Sequence, residues 1–409
     1  MTATAVRRPP SLPVDRDLPG APDLLADAGM QRVAAFLDRC GLEPHRVEPA
    51  QAHYRPGRFL AVCFRTAAVE RSSGSPVCPT VTVECRAGEP DLMWVFPDDP
   101  ALPGLAAAAD GGLIRRRLQP RPAQVVAEPL RYRPRRRAVL RYRLDDGRVL
   151  FAKVVTPKRG RRLLALAEAL AATDLRLALP SVRVGPGALI LPTLPGTPLR
   201  DLLLRGGPLP PPERLASLPW ELHRQSRPLL AAGGPATYHA AGRRRLDPSA
   251  ALCAAQVVAR LLPAEGCAAG RIAEAVINRA EESEPHEEWI VHGDLYENQV
   301  FVDGETLGLI DLDDLGPGDP LLDAANFSAH LRLLAASGVP AGGTIGRYRE
   351  DLREAFRRRL DADPAALAWR EAYCLLRLAS GPFRVLHRDW PRRMADRVAL
   401  ATDALSVRR

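Results

Sequence analysis

The order of hydrophobic patterns along the chain most constrains its fold. Two apolar runs within 138–155 flank the turn signal Asp145-Asp146-Gly147, and a third strand-like run covers 187–191. After Pro195-Gly196 the patterns become helical, with one short β interruption at about 289–311. This order predicts an α+β fold with a small β-rich lobe and a large helical lobe. Ligands usually bind in the cleft between two such lobes.

The chain is long enough for several domains. Its 409 residues exceed what one hydrophobic core usually organises, which predicts two or three domains. A helical pattern near 22–40 and three strand-like runs suggest a separate α+β module ahead of the two lobes. The predicted segments are a Pro-rich disordered leader (1–22), an N-terminal module (23–125), a β-rich lobe (126–194) and a helical lobe (195–409).

One short similarity crosses the predicted boundary between module and lobe. Tyr54-Arg55-Pro56-Gly57-Arg58 and Tyr132-Arg133-Pro134-Arg135-Arg136 each precede an apolar run that ends in arginine. Either a strand unit is duplicated or an arginine-rich composition produces the match by chance.

The composition of the chain limits the kinds of partner and the cellular compartment that we expect. The formal charge of +9 would suit nucleic acid, but the arginines are spread along the chain, so we expect neither a nucleic-acid nor a membrane partner. Seven scattered cysteines without metal-ligand spacing suit a reducing, cytoplasmic location. The first thirty residues lack the apolar stretch of a signal peptide, and no run of eighteen apolar residues occurs. The oligomeric state is not predicted.

The segment 289–314 concentrates polar groups around a predicted hairpin. Val300–Val302 and Leu307–Ile310 are short apolar strands, and Asp303-Gly304 between them is a turn signal. Gln299 precedes the first strand and Asp311 follows the second at about equal distance. We therefore expect Gln299 and Asp311 to lie opposite one another, with Cα atoms roughly 4.5–5.5 Å apart.

This arrangement suits phosphoryl transfer. A carboxylate and an amide oxygen facing each other can share Mg²⁺, which prefers oxygen ligands and completes its shell with water and substrate phosphates. Asp294, on the adjoining loop, would orient and deprotonate an attacking hydroxyl. One base, two metal ligands and a cleft for the nucleotide are what this chemistry requires.

Three short motifs in this order resemble one known family. They are His292-Gly293-Asp294-Leu295, Ile310-Asp311-Leu312-Asp313 and Gly318-Asp319-Pro320-Leu321-Leu322-Asp323. Together they resemble the aminoglycoside phosphotransferase and choline kinase-like family, which has a protein-kinase-like fold. The resemblance covers about 130–400 and is most specific within 290–325.

The resemblance implies a function and roles for single residues. It implies ATP and Mg²⁺ as cofactors and a hydroxyl of a small molecule, such as an aminoglycoside, an amino alcohol or a sugar, as acceptor. Asp294 matches the catalytic base and Asp311 the Mg²⁺ ligand, while Asp313 would assist the metal. Asp319 and Asp323 would cap or brace the following helix.

The chain departs from the family at the second metal ligand. The family usually has an Asn seven residues after the His, where this chain has Gln299; Asn298, one position earlier, is the alternative ligand. The glycine-rich phosphate loop is also missing, since Arg-Pro-Arg-Arg-Arg occupies 133–137. These arginines either contact phosphate directly or form a solvated basic face.

Lys153 is the second expected anchor of the nucleotide. It is one of only two lysines and lies within the apolar run Phe151-Ala152-Lys153-Val154. The resemblance places there the lysine that holds the α- and β-phosphates, paired with a helix glutamate for which Glu168 is the candidate. The alternative is a strand-end lysine that reaches solvent. The segment containing Leu191, Thr193 and Leu194 resembles the inter-lobe hinge that binds adenine.

Two function classes follow from these features. The first is an ATP-dependent phosphotransferase, and Phe96-Pro97-Asp98-Asp99-Pro100 resembles a segment of bacterial maltose kinases, which makes a sugar acceptor one option. The second is a pseudokinase, a binding protein that retained the fold without activity; the missing glycine-rich loop and Gln299 favour it.

Overall fold

The structure is a computed structural model that describes residue 12 and residues 15–233, 246–283 and 289–406. It contains two compact units. The first unit contains the residues up to Pro100 with Leu252–Arg271 and Leu376–Ala399, and the second contains Ala101–Ala251, Ile272–Leu375 and Leu400–Arg409. Most of the predicted leader (1–11, 13 and 14) lies outside the described residues. The boundaries of the four predicted segments stay predictions.

The first unit begins with two helices and an antiparallel sheet. The strand order is β1-β2-β4-β5, with β3 beside β2. The elements are α1 (Ala21–Leu24), α2 (Asp27–Arg39), β1 (Leu42–Arg55), β2 (Phe59–Glu70), β3 (Pro76–Val77), β4 (Thr80–Arg86) and β5 (Leu92–Val95). The sequence patterns predicted α2, β2, β4 and β5 but not β1. Pro44 and Pro49 interrupt the β1 pattern, and both lie where the pairing register shifts.

The two similar segments both form hairpin turns. Tyr54–Arg58 ends β1 and leads into β2, with Gly57 at φ +67°. Tyr132–Arg136 connects the first two strands of the second sheet, with Arg135 at φ +59°. The similarity thus coincides with a shared turn conformation, while duplication stays a hypothesis.

The second unit opens with two short helices and a five-stranded sheet, ordered β10-β11-β8-β7-β6. The elements are α3 (Leu105–Ala109), α4 (Gly111–Arg117), β6 (Val125–Arg133), β7 (Arg137–Leu144), β8 (Val149–Val155), α5 (Pro157–Leu170), β9 (Arg176–Leu177), β10 (Val182–Gly185) and β11 (Ala188–Leu191). β9 belongs to a different sheet, where it lies beside the strand Thr306–Leu309.

One face of this sheet packs against α3, and Lys153 lies on the other face. Leu140 and Tyr142 are buried on one face, where the Tyr142 hydroxyl donates to the Ala108 carbonyl oxygen at 2.7 Å and so ties the sheet to α3. Val139, opposite Lys153 in the β7–β8 register, points to the other face. Lys153 and its neighbours on that face therefore point away from α3.

The rest of the second unit is mainly helical, with two small sheets. These sheets have the orders β12-β14-β15-β9 and β13-β16. The remaining elements of the chain are β12 (Thr197–Pro198), α6 (Leu199–Arg205), α7 (Pro212–Gly233), α8 (Pro248–Leu261), α9 (Pro263–Glu282), β13 (Trp289–Val291), β14 (Val300–Asp303), β15 (Thr306–Leu309), β16 (Gly316–Gly318), α10 (Pro320–Ala335), α11 (Gly342–Arg359), α12 (Pro364–Leu378), α13 (Gly381–Arg384) and α14 (Trp390–Leu405). Of these, α13 belongs wholly to the first unit, and α8, α9, α12 and α14 belong to it in part. The predicted α+β class, β-rich first and helical later, is confirmed.

Within the described ranges, no helix combines the length and the apolar character needed to cross a membrane.

Close backbone packing between α5 and the β10–β11 turn gives a stability prediction. A Cβ added at Gly160 would lie 2.7 Å from the Cα of Gly187, whereas one added at Gly270 in α9 meets nothing within 4 Å. We expect Gly160→Ala to lower the free energy of unfolding by about 1–3 kcal/mol, because backbone must move. Gly270→Ala, the matched control, should raise it by roughly 0.5–1 kcal/mol through helix propensity. Chemical denaturation checks both; equal stabilisation by the two substitutions would contradict the packing.

Candidate active site

His292 links the two loops of the site. It follows β13 and is fully buried. Its Nδ1 accepts the backbone N–H of Asp294 at 3.3 Å, so its Nε2 carries the proton and donates to the Ile310 carbonyl oxygen at 2.9 Å. The imidazole therefore holds the Asp294 loop against the segment that leads into Asp311.

Asp323 braces the same loop from the first turn of α10. Its carboxylate accepts the backbone N–H of His292 at 2.7 Å and of Gly293 at 2.9 Å. Burial raises the pKa of Asp323 to about 6, although these N–H bonds act in the opposite direction. Asp319 instead caps α10 by accepting the Leu321 N–H at 2.9 Å. Of the two expected roles, Asp319 therefore has the capping role and Asp323 the bracing role.

The hairpin carries Gln299 and Asp311, but its register differs from the expected one. The residue opposite Gln299 is Ile310, whose N–H donates to the Gln299 carbonyl oxygen at 3.0 Å. The prediction that Gln299 and Asp311 are directly opposite is wrong, because the two-residue turn Gly304-Glu305 shifts the pairs by one position. The side chains nevertheless meet: Gln299 Nε2 lies 3.3 Å from Asp311 Oδ2. Asn298, the alternative ligand, is exposed.

Asp311 combines an unusual backbone with two cations. Its φ of +62° and ψ of +48° place a non-glycine residue in the left-handed region, a strain that is common at functional sites. Lys153 Nζ lies 2.5 Å from Oδ1, and Arg137 Nη1 lies 3.2 Å from Oδ2. Burial alone would raise the pKa of Asp311, but Lys153 and Arg137 outweigh it and hold that pKa well below its usual range.

The acidic partners of Lys153 differ from the expected one. Lys153 is 7% exposed and forms ion pairs with Asp311 and Asp313. Burial lowers the pKa of this ammonium group, yet the two carboxylates outweigh burial and raise it. Glu168 is exposed on α5. The expected Lys153–Glu168 pair is therefore corrected: the lysine points to the loop after β15 rather than to α5.

The helix α5 contributes cations to this cluster instead of a carboxylate. Arg159 Nη2 lies 3.2 Å from Asp313 Oδ2 and 3.1 Å from Asp314 Oδ1. Arg162 Nη2 donates to the Leu315 carbonyl oxygen at 3.1 Å. Asp313 therefore bridges Lys153 and Arg159. Sequence reasoning missed Arg159, because an arginine in an arginine-rich chain gives no signal of its own.

The three residues that were expected to form a hinge lie at the end of β11 and in the segment between β11 and β12. Leu191 ends β11 opposite Phe151, and Thr193 Oγ1 donates to the Val149 carbonyl oxygen at 2.5 Å. Leu194 is buried, and its Cδ1 would lie 3.0 Å from a Cβ added at Gly308 in β15. The segment thus runs from the strand beside Lys153 to the strand that precedes Asp311.

The raised pKa of Asp323 predicts a pH effect on stability. The ordinary value of 3.8 applies to the unfolded chain and about 6 to the folded one. The unfolded chain therefore loses this proton first, so the contribution of Asp323 to stability falls as the pH rises from about 4 to about 6 and is constant above. Measured by denaturation at several pH values, the stability of the wild type relative to Asp323→Asn should decline across this window. A difference that is independent of pH would contradict the assignment.

Comparison with known proteins places the chain in a family. Residues 137–353, more than half of the chain, match the model of the APH phosphotransferase enzyme family. A search of curated proteins gave no match.

Solved structures of kinases are among the similar folds. A choline/ethanolamine kinase family protein from Mesorhizobium loti has 17% identity and a TM-score of 0.45, covering 69% of this chain and 88% of its own. A Plasmodium vivax ethanolamine kinase has 11% identity and a TM-score of 0.44, covering 67% and 82%. An aminoglycoside phosphotransferase from Streptomyces rimosus, in complex with ADP and streptomycin, has 23% identity and a TM-score of 0.39, covering 69% and 93%.

The family match spans the small lobe from β7, the hairpin with Gln299 and Asp311, and the helices that follow up to α11. It confirms the resemblance, the protein-kinase-like fold class and the general activity, a small-molecule phosphotransferase. The chain belongs to the APH phosphotransferase enzyme family.

Proposed function

We propose that the protein transfers the γ-phosphoryl group of ATP to a hydroxyl group of a small molecule, with Asp294 as the base. One observation carries the proposal: Lys153, Gln299 and Asp311 meet in one buried cluster, with 2.5 Å from Lys153 Nζ and 3.3 Å from Gln299 Nε2 to the Asp311 carboxylate. His292 ties this cluster to the loop of Asp294. A base, a phosphate-binding cation and two oxygen donors are then held by one network.

Asp294 suits the role of base because its loop is fixed while its side chain remains partly exposed. In the proposed step the acceptor oxygen forms a bond to the γ-phosphorus, and the bond from that phosphorus to the β–γ bridging oxygen breaks. The hydroxyl proton passes to the Asp294 carboxylate, and ADP leaves. Because little covalent chemistry falls to the protein, positioning and charge supply most of the catalysis.

Asp311 and Gln299 fit Mg²⁺ by the chemistry of their donors. No group of three or more His, Cys, Asp or Glu side chains in the described part of the chain could form a metal cage. Mg²⁺ does not require one, since it usually binds one or two protein carboxylates and completes its shell with water and phosphates. A rotation of the Gln299 amide would turn its oxygen instead of its nitrogen towards Asp311. When bound, the metal would neutralise charge on the β- and γ-phosphates.

The nucleotide would extend from Lys153 to the hinge. An apolar cavity beside Lys153 is lined by Leu163, Leu189, Leu191, Leu312 and neighbouring residues. We propose that Lys153 binds the α- and β-phosphates and that backbone groups around Leu191, Thr193 and Leu194 bind adenine. Asp313 would hold Lys153 in place by its ion pair and would in this way assist metal binding at Asp311.

The acceptor is proposed at the level of class. Family membership fits an aminoglycoside, an amino alcohol or a sugar, each of which offers a hydroxyl group. ATP use and seven free cysteines suit a reducing, cytoplasmic compartment.

One observation favours the pseudokinase alternative. Lys153, Arg137 and Arg159 already neutralise Asp311 and Asp313, so a metal ion must compete with them. A pseudokinase would bind nucleotide without turnover on any acceptor. The alternative is tested with the wild type, by measuring nucleotide binding and transfer to a panel of acceptors.

Separate roles for the two aspartates give a pair of expected outcomes. Asp294→Asn should lower kcat by about 10²–10⁴-fold and leave nucleotide affinity unchanged, because it removes a base that does not hold the metal. Asp311→Asn should weaken binding of Mg·ATP, because it removes a metal ligand. Transfer from ATP to a panel of hydroxyl compounds measures the first effect, and calorimetry measures the second.

Two results would contradict these roles. Unaltered turnover in Asp294→Asn would show that Asp294 is not the base. Wild-type affinity for Mg·ATP in Asp311→Asn would show that Asp311 is not the metal ligand. Nucleotide binding by the wild type without transfer to any acceptor of the panel would favour the pseudokinase.

A further inference from the structure

The β6–β7 turn cannot present a row of backbone amides to a phosphate group. Only Pro134, Arg135 and Arg136 separate the paired residues Arg133 and Arg137. Pro134 has no N–H, and the N–H of Arg136 donates to the Arg133 carbonyl oxygen at 3.0 Å within the turn. Two of the three turn residues are therefore unable to offer an amide. Any phosphate contact from this hairpin must come mainly from side chains.

The strand register places Arg137 on the same sheet face as Lys153. Arg137 lies two residues before Val139 in β7, and Val139 is opposite Lys153 in β8. Residues two apart in a strand, and residues directly opposite in a pair, share a face. Arg133 lies opposite Arg137 and therefore shares this face too.

The Arg137 guanidinium is held against the proposed metal ligand. Its Nη1 lies 3.2 Å from Asp311 Oδ2, 3.4 Å from Asp311 Oδ1 and 3.9 Å from Asp313 Oδ2. The Arg137 side chain is 15% exposed. Asp311 already has Lys153 at 2.5 Å, so Arg137 is a second cation on a carboxylate that one cation would neutralise.

A carboxylate that contacts two cations suits a ligand that brings more negative charge than its metal ion removes. Lys153, Arg137 and Arg159 balance Asp311, Asp313 and Asp314 when no nucleotide is bound. Mg²⁺ with a triphosphate adds net negative charge, and the metal would take over Asp311. Arg137 can then turn its donors to phosphate oxygens, for which the planar, weakly hydrated guanidinium is well suited.

We propose that Arg137 binds the β- and γ-phosphates of the nucleotide and replaces the backbone amides of a glycine-rich loop. The inference rests on the proposed function, since it assigns a further residue to the same nucleotide site. Arg137 neutralises Asp311 before the nucleotide binds and contacts phosphate oxygens afterwards. It is a nucleotide-positioning residue and takes no part in proton transfer.

The test compares three variants by calorimetry with ATP, ADP and AMP, each with Mg²⁺ and in EDTA. Arg137→Gln removes the positive charge, whereas Arg137→Lys keeps the charge but lacks the planar set of guanidinium donors. Arg141→Gln is the matched control, because Arg141 is on the same face of β7 but pairs with Glu128 at 2.6 Å. Thermal unfolding of each variant checks that it is folded.

Arg137→Gln should weaken ATP binding by about tenfold to a hundredfold, as expected for lost charge-assisted hydrogen bonds, and leave AMP binding unchanged. The loss should persist in EDTA, because the contact to phosphate is direct. Arg137→Lys should retain part of the affinity, and Arg141→Gln should bind like the wild type.

Three results would overturn the inference: wild-type ATP affinity in Arg137→Gln, an equal loss for AMP and ATP, or a loss only when Mg²⁺ is present. Failure of the proposed function appears elsewhere, as unaltered turnover in Asp294→Asn. An ATP affinity that depends on Arg137 together with such turnover would keep the phosphate contact and reject the base.

Discussion

A buried cluster of opposite charges organises the second unit. Asp311 and Asp313 are drawn out of water, and each such carboxylate costs several kcal/mol unless it is paired with good geometry. Lys153 on β8, Arg137 on β7 and Arg159 on α5 supply that pairing. The sheet of the small lobe and its helix are thereby attached to the segment after β15. Removing one cation would leave an uncompensated buried charge, so the cluster behaves as one structural element.

The loops around the cluster are fixed by bonds to the backbone rather than by packing alone. His292 spans from the Asp294 N–H to the Ile310 carbonyl oxygen, and Asp323 accepts two N–H groups of the same loop. These contacts set the backbone on which Asp294 and Asp311 are mounted. The left-handed Asp311 is tolerated because the surrounding bonds and ion pairs determine its position. Such rigid mounting would suit the roles proposed for Asp294 and Asp311, because phosphoryl transfer depends on preorganised positions.

Local patterns were sufficient to predict the chemistry and the class of fold, but not the pairing of side chains. The hairpin pattern and the short motifs singled out Asp294, Gln299 and Asp311 as candidates, and an isolated Lys in an apolar run singled out Lys153; of these, Lys153, Gln299 and Asp311 lie together in the structure. The expected pairing was wrong by one position because turn length sets the register: Gln299 opposite Asp311 requires three residues in the turn, whereas the hairpin turns on two, Gly304-Glu305. The expected Glu168 partner came from the family resemblance, whereas the contacts of Lys153 depend on the long-range approach of β8 to the loop after β15. Strand β1 was missed because its prolines lie at bulges, which no periodicity reveals.

The position of a bound metal ion relative to Asp294 and Asp311 decides whether the two residues have the proposed roles. Crystals grown with Mn²⁺ and a non-hydrolysable ATP analogue would locate the ion by its anomalous scattering. If Asp311 holds the metal and Asp294 is the base, we expect a peak about 2 Å from an Asp311 oxygen and next to the analogue's phosphates, with Asp294 not bound to the ion and facing the γ-phosphate. A peak bound to Asp294, or an analogue whose phosphates lie away from Lys153 and Asp311, would contradict these roles.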